Sequence, residues 1–174
     1  MTFRTMLALA GAALALVLPS AVLAAGTHAG GHYHGQAAHG DGAGLHAMME
    51  IGQPASGAPA RTIEITMLET NDGGMIFEPG DLSFSAGETV RLKITNAGDT
   101  DHEFVMDTMT AIEEHKALME KFPEMEHDDP NAIRLQPGET GEILWTFGTA
   151  GTFGYACLIP GHYDAGMHGP LQIN

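Results

Sequence analysis

Apolar and polar residues alternate along several short segments of the chain, which is the period of strands that are buried on one face. Ile63, Ile65 and Met67 alternate with polar neighbours, and the same period recurs in residues 82–84, 90–94, 143–147, 153–155 and 171–173. A further strand is predicted at 101–106, where Phe104 and Val105 lie in a short apolar run. Turn-forming residues, such as those at 71–74 and 136–138, separate these segments. The pattern predicts about seven or eight short strands. We therefore expect an all-β, antiparallel β-sandwich that forms one domain over residues 61–174.

One segment between two of these strands has a helical pattern instead. Thr110 and Glu113 have the spacing of a capping box, which is typical of a helix N-terminus. Pro123 is expected to end the helix. The residues expected on its packed face are Ala111, His115, Leu118 and Phe122. The sequence therefore predicts a helical insertion of about three turns.

The N-terminal residues 1–24 have the pattern of a secretory signal peptide. Arg4 provides the positive charge, residues 7–18 are apolar but too few for a comfortable membrane span, and Ala24 precedes the expected cleavage site. We expect export, most simply to a bacterial periplasm, and no membrane attachment after cleavage. An uncleaved membrane anchor is the alternative interpretation.

Residues 25–60 are rich in Gly and Ala and contain few large apolar side chains, so we expect a flexible tail and linker. Imidazole and thioether groups are ligands for copper, and thioethers favour Cu(I). The tail is therefore a candidate for copper capture, and a linker of biased composition without a specific site is the alternative. Its candidate ligands are His28, His32, His34, His39, His46, Met48 and Met49.

The chain is strongly acidic, with 22 Asp and Glu residues against 7 Lys and Arg residues and a formal net charge of −15. This charge repels nucleic acids and anionic membranes, so proteins that bind either are excluded as a class. It also favours a soluble monomer. The single cysteine, Cys157, excludes a disulfide within the chain and any metal site built from several cysteines.

Three soft metal ligands lie close together near the C-terminus: Cys157, His162 and Met167. The glycines between them, Gly161 and Gly166, allow a tight loop that directs all three side chains to one point. Farther upstream, His102 begins a predicted strand that a sandwich can place beside this loop. Two His and one Cys with a weak axial Met form the ligand pattern of a blue-copper site. A zinc site and ordinary packing of each residue are the alternatives.

The C-terminal motif resembles the cupredoxin family of plastocyanin and azurin. The resemblance rests on Trp145-Thr-Phe, Gly151-Thr-Phe-Gly-Tyr-Ala-Cys157, Pro160-Gly-His162 and Gly166-Met167. The ligand spacing resembles the rusticyanin and auracyanin branch. The His- and Met-rich leader and the acidic segment 101–104 resemble periplasmic copper-tolerance cupredoxins.

This resemblance covers residues 61–174 and implies a Greek-key sandwich with one type 1 copper. The ligands that it implies are His102, Cys157, His162 and Met167. Many cupredoxins have Asn directly after the first His ligand, where this chain has Glu103. A carboxylate cannot donate the hydrogen bonds of an amide, so we expect different surroundings for the copper.

The helical insertion and its flanks contain further soft ligands that could form an accessory copper site. The alternative is that the methionines pack the helix onto the sandwich. His168, next to Met167, could influence the copper site or could be an ordinary surface residue on the rim of the loop. The accessory candidates are Met106, Met109, His115, Met119, Met125, His127 and His168.

Two functions fit these features. The first is copper tolerance or homeostasis, by sequestering, redox-buffering or transferring copper, and the excess of His and Met ligands favours it. The second is a diffusible one-electron carrier, whose acidic surface would be steered to a basic redox partner such as a cytochrome or oxidase. We do not expect an enzyme, because multicopper oxidation needs additional paired His motifs. A copper-free interaction module would require the spacing of four ligands to be accidental.

Overall fold

The computed structural model describes residues 50–123, 125 and 129–174, and these residues form ten strands in two sheets. The first sheet has the order β1 (Gly52–Pro54), β8 (Thr140–Phe147), β5 (Thr89–Asn96), β2 (Arg61–Glu69), β3 (Met75–Glu78). The second has the order β4 (Leu82–Phe84), β10 (His168–Ile173), β9 (Gly151–Ala156), β6 (His102–Asp107), β7 (Ala132–Leu135). The expected all-β sandwich is confirmed.

The hydrophobic core lies between the inner faces of the two sheets. Along β5, Val90, Leu92 and Ile94 are fully buried while the residues between them are partly exposed. Trp145 of β8 is also fully buried, and its indole N–H donates to the carbonyl oxygen of Ile51 at 3.2 Å. The period of two that is visible in the sequence is therefore the alternation between this core and the outer surface.

Two strand pairs are parallel, β2 with β5 and β4 with β10, whereas the other neighbours are antiparallel. The expectation of a wholly antiparallel sandwich is therefore wrong. The physical reason is the chain path, because β3 and β4 lie between β2 and β5 in sequence and β4 belongs to the opposite sheet. The chain crosses to the second sheet and returns, so β5 runs in the direction of β2.

The ordered domain begins before residue 61, so the predicted boundary of the tail and linker at residue 60 lies too far along the chain. Ile51 is fully buried in the core, and β1 pairs with the end of β8. The amide N–H of Ala55 also donates to the carbonyl oxygen of Leu144 at 2.9 Å. A three-residue strand containing Pro54 is too short to show a periodic pattern, which is why the sequence did not predict it. The expected signal peptide and residues 25–49 of the tail lie outside the described residues.

Helix α1 (Met109–Lys121) lies between β6 and β7 and covers the outer face of the second sheet. Its N-cap is Thr108, whose hydroxyl accepts a hydrogen bond from the amide of Ala111, so the predicted capping box at Thr110 is wrong. The helix ends at Lys121, before Pro123, as the sequence predicted.

The packed face of α1 also differs from the predicted one. Ile112 and Met119 are buried against β6 and β9, whereas Leu118 and Phe122 are 45% and 58% exposed. Residues 112 and 119 are seven apart and therefore share a face, and Leu118 is turned about 100° away from that face. Among the residues that the structure describes, no helix is long and apolar enough to cross a membrane.

Candidate metal centre

The pairing of β6 with β9 brings His102 and Cys157 together. The two strands are antiparallel, with Val105 opposite Ala156, so the start of β6 lies beside the residue that follows β9. The amide N–H of Glu103 donates to the sulfur of Cys157 at 3.3 Å. This contact uses the backbone of residue 103 and therefore does not depend on its side chain.

The loop from Cys157 to Met167 is closed by its own backbone. The amide of Cys157 donates to the carbonyl oxygen of Met167 at 3.0 Å. The amide of Met167 donates to the carbonyl oxygen of His162 at 3.1 Å. Gly161 and Gly166 have φ values of +90° and +103°, which favour glycine. The glycines that predicted a tight loop are therefore the residues that make its turns.

Three donor atoms converge where this loop meets β6. Nδ1 of His102 lies 3.2 Å from Nδ1 of His162, and the sulfur of Cys157 lies 3.4 Å from the same atom of His162. Ligand atoms of the three residues all lie within 4.8 Å of one another. Two donors that each lie about 2 Å from one metal ion can be at most about 4 Å apart, and the separations of 3.2 and 3.4 Å from Nδ1 of His162 meet this limit. The donor set of two imidazoles and a thiol suits copper.

Burial sets the protonation state of these donors. It lowers the pKa of His102, although nearby carboxylates act in the opposite direction. It also lowers the pKa of His162, and the neighbouring His102 adds to this effect. Burial raises the pKa of the Cys157 thiol to about 12. Both shifts favour the neutral imidazole, which has a lone pair for a metal ion, and a metal must displace the thiol proton.

Glu69, at the end of β2, contacts the cluster from outside and was not predicted as a site residue. Its Oε1 lies 3.1 Å from Nε2 of His102, and its side chain is 25% exposed. Burial raises its pKa, but hydrogen bonds from Thr100 and the amide of Asp99 outweigh this and lower it to about 2. An ionised carboxylate can only accept, so Nε2 of His102 is the donor and its Nδ1 keeps the lone pair that faces the cluster.

The turn before His102 is fixed by the fully buried Asn96. Its side-chain amide donates to the carbonyl oxygens of Thr100 and Leu135 at 2.8 and 2.9 Å, and its oxygen accepts from the amide of Gly98 at 2.9 Å. Gly98 has no room for a side chain, because a Cβ there would clash with Glu69 and lie 2.8 Å from Nε2 of His102. Glu69 has no local sequence signal, because His102 is 33 residues away. The sequence Asn96-Ala-Gly is typical of a turn, but the hydrogen bond from Asn96 to Leu135, 39 residues away, is not visible in it.

Met167 is fully buried in the core cluster that also contains Cys157. Its backbone hydrogen bonds hold it between Cys157 and His162. Its assignment as the axial ligand remains a prediction.

The accessory candidates occupy several separate environments. Met106 lies in the core between the sheets, whereas Met119 and the partly buried Met125 belong to the cluster beneath α1, on the other face of the second sheet. Because the sheet separates them, the structure does not bring Met106 together with Met119. Met109, which is 43% exposed, lies at the start of α1, where its sulfur is close to Gly154.

His168 is exposed and stacks on the ring of Tyr163, with the ring centres 4.3 Å apart. His115 is partly buried on α1. Within residues 50–123, 125 and 129–174, the one group of three or more His, Cys or carboxylate residues spaced for a metal ion is His102, Cys157 and His162. The tail candidates and His127 lie outside the described residues.

Comparison with known families matches residues 65–174 to the model for copper binding proteins of the plastocyanin/azurin family. Three relatives are named copper-resistant cuproprotein CopI. The one from Rubrivivax gelatinosus is 42% identical over 147 residues, which cover 82% of this chain and 84% of the relative. The one from Pseudomonas aeruginosa is 31% identical over 187 aligned positions, which cover 90% of this chain and 96% of the relative.

Solved structures with similar folds include two auracyanins. Auracyanin B has a TM-score of 0.56 at 26% identity, covering 71% of this chain and 96% of that structure. Auracyanin A, described as a "blue" copper protein from Chloroflexus aurantiacus, has a TM-score of 0.52 at 28% identity, covering 67% of this chain and all of that structure. The fold that the sequence resemblance implied is thereby confirmed.

Proposed function

The chain belongs to the plastocyanin/azurin family of copper binding proteins, and we propose that it is a periplasmic copper-tolerance protein with one type 1 copper site. His102, Cys157, His162 and Met167 would hold the copper, the first three through two imidazoles and a thiolate and Met167 through its thioether. The observation that carries this proposal is the convergence of one ligand atom each from His102, Cys157 and His162 within 4.8 Å of one another. Copper bound here would supply one-electron chemistry.

The protein contributes a donor set that is held in place before copper binds. The backbone of Met167 ties Cys157 to His162, and the amide of Glu103 donates to the sulfur. A thiolate stabilises Cu(I), and imidazole binds both oxidation states. His102 and Cys157 are fully buried, so water is excluded from these two donors.

The role in copper tolerance is supported by the names of the CopI relatives from Rubrivivax gelatinosus and Pseudomonas aeruginosa. The alignments cover 84% and 96% of these two relatives. Export through the signal peptide at residues 1–24 would place the protein where external copper enters. The tail histidines and the methionines near α1 then add capacity for copper beyond the type 1 site. A monomer with a net charge of −15 would remain soluble while it binds these cations.

A second function, one-electron transfer to a basic partner, is favoured by the position of His162. This residue is partly exposed, whereas His102 and Cys157 are fully buried. His162 would therefore be the copper ligand that a redox partner could approach most closely. A cytochrome or an oxidase with a basic surface is the partner that the acidic chain would attract.

The two functions are separated by a tolerance assay in a strain that lacks the chromosomal gene. The strain receives the full chain, a variant lacking residues 25–49, or a variant with the five tail histidines changed to Ala. The deletion stops at residue 49 because Ile51 is in the core.

We expect both tail variants to retain the visible copper band when purified but to protect the strain less than the full chain. The variant with the five histidines changed to Ala keeps the length of the tail, so it separates the loss of histidines from the loss of chain length. Equal protection by all three would contradict a role for the tail. If the full chain also failed to protect, electron transfer would become the leading function.

A further inference from the structure

Glu69 is held in a fixed orientation by groups that take no part in the donor cluster. Its Oε2 accepts from the amide of Asp99 at 2.9 Å. Its Oε1 accepts from the amide and hydroxyl of Thr100 at 3.1 and 2.6 Å, and it also lies 3.1 Å from Nε2 of His102. Because both oxygens are engaged, the direction in which the carboxylate faces His102 is fixed independently of any metal.

The packing around Gly98 supports the same conclusion independently. A Cβ at this position would clash with the carboxylate of Glu69 and would approach Nε2 of His102 to 2.8 Å. The turn therefore passes close over the contact between these two side chains, and only a glycine leaves the room for it. The buried Asn96 holds this turn in place through its hydrogen bond with the amide of Gly98.

We propose that Glu69 is a positioning residue for the copper centre, which holds Nδ1 of His102 towards Cys157 and His162 and favours Cu(II) over Cu(I). This inference rests on the proposed function, because it takes His102 to be a copper ligand. It adds a residue of β2 to a centre otherwise built from β6 and the loop after β9.

Two physical effects follow from this contact. Donation from Nε2 to a carboxylate fixes the tautomer of His102 and makes its other nitrogen a stronger electron donor. The negative charge also lies one imidazole ring away from the metal position, where it stabilises the more positive oxidation state. Both effects act in the same direction and lower the reduction potential of bound copper.

The test compares Glu69→Gln with Glu64→Gln. A glutamine at position 69 can still accept from His102 but carries no charge. Glu64 lies on the same strand, is exposed and pairs with Lys93 on the surface, so its substitution makes the same charge change away from the site. We expect Glu69→Gln to increase the ratio of Cu(I) to Cu(II) affinity about tenfold, which raises the potential of a one-electron couple by about 59 mV. Glu64→Gln should leave the potential near that of the wild type.

A conservative variant separates charge from position. Glu69→Asp keeps the negative charge but is too short to reach all of the donors. Its potential should therefore lie between the wild type and Glu69→Gln. Identical potentials and copper spectra for the wild type and Glu69→Gln would overturn the proposal.

A measurement on the copper-free wild-type protein tests the contact without any variant. Nitrogen NMR of His102 should show the ring proton on Nε2, the nitrogen that faces Glu69. A proton on Nδ1 would overturn the inference even if Glu69→Gln failed to fold. If the wild-type protein shows no intense copper band, the proposed function fails. If that band is present but Glu69→Gln does not alter the reduction potential, only the inference about Glu69 fails.

Discussion

The two halves of the metal cluster are built in different ways. Cys157 and His162 lie on one loop that is closed by backbone hydrogen bonds within residues 157–167. His102 lies at the start of β6 and is oriented by Glu69 from β2, while Asn96 of β5 fixes the preceding turn. The first half is therefore local, and the second depends on several strands being correctly assembled. Substitutions in the two halves should have different consequences.

The largest effect is expected in the local half, from Cys157→Ser. The substitution keeps the size of the buried side chain but removes the thiolate, and with it the sulfur-to-copper charge transfer. We expect complete loss of the intense visible band while the circular dichroism spectrum stays that of the folded protein. A coloured Cys157→Ser protein would show that the cysteine is not the ligand.

The second-largest effect is expected from Asn96→Ala, in the half of the cluster that depends on several strands. The substitution leaves the carbonyl groups of Thr100 and Leu135 and the amide of Gly98 without their present partner. We expect the free energy of unfolding of the copper-free protein to fall by about 2–4 kcal/mol in urea titrations.

Thr95→Ala is the matched control for Asn96→Ala. Thr95 is the neighbouring residue, and its hydroxyl bonds to Thr140 at the exposed surface. We expect this variant to lose less than about 1 kcal/mol. An equal decrease in the free energy of unfolding for Thr95→Ala and Asn96→Ala would contradict the role of Asn96 in fixing the turn.

A smaller effect is expected from Gly161→Ala in the local half. A Cβ at this position has no atom within 4 Å, so the cost comes only from the φ of +90°. We expect a loss of about 1–2 kcal/mol in the same urea titrations. Gly57→Ala is the control, since this position is also open and has no positive φ. If Gly161→Ala were as stable as this control, backbone conformation would not hold the loop.

The same contrast explains which parts of the site were predictable from the sequence. The loop ligands and their glycines are close together in the chain, so their spacing predicted the turns that the structure has. His102 was predicted from its place at the start of a strand. Glu69 was missed because it is 33 residues from His102 and looks like any other polar residue at a strand end.

The fold shows a similar division. The long strands β2, β5 and β8 have a clear period of two, and the structure confirms them. The short strand β1 and the parallel pairing of β2 with β5 depend on the path of the whole chain, and the sequence did not predict them. The packed face of α1 was mispredicted because Leu118 and Met119 are both apolar neighbours, and only the sheet beneath the helix decides which is buried.

The most direct test of the copper centre is a Cu(II) titration of the protein without its signal peptide, followed by visible absorption. The account predicts an intense thiolate-to-copper band that saturates at about one copper per chain. Additional copper that binds without colour would be held by the tail or by the residues near α1. The absence of any intense band would contradict the assignment of Cys157, His102 and His162 as a type 1 copper site.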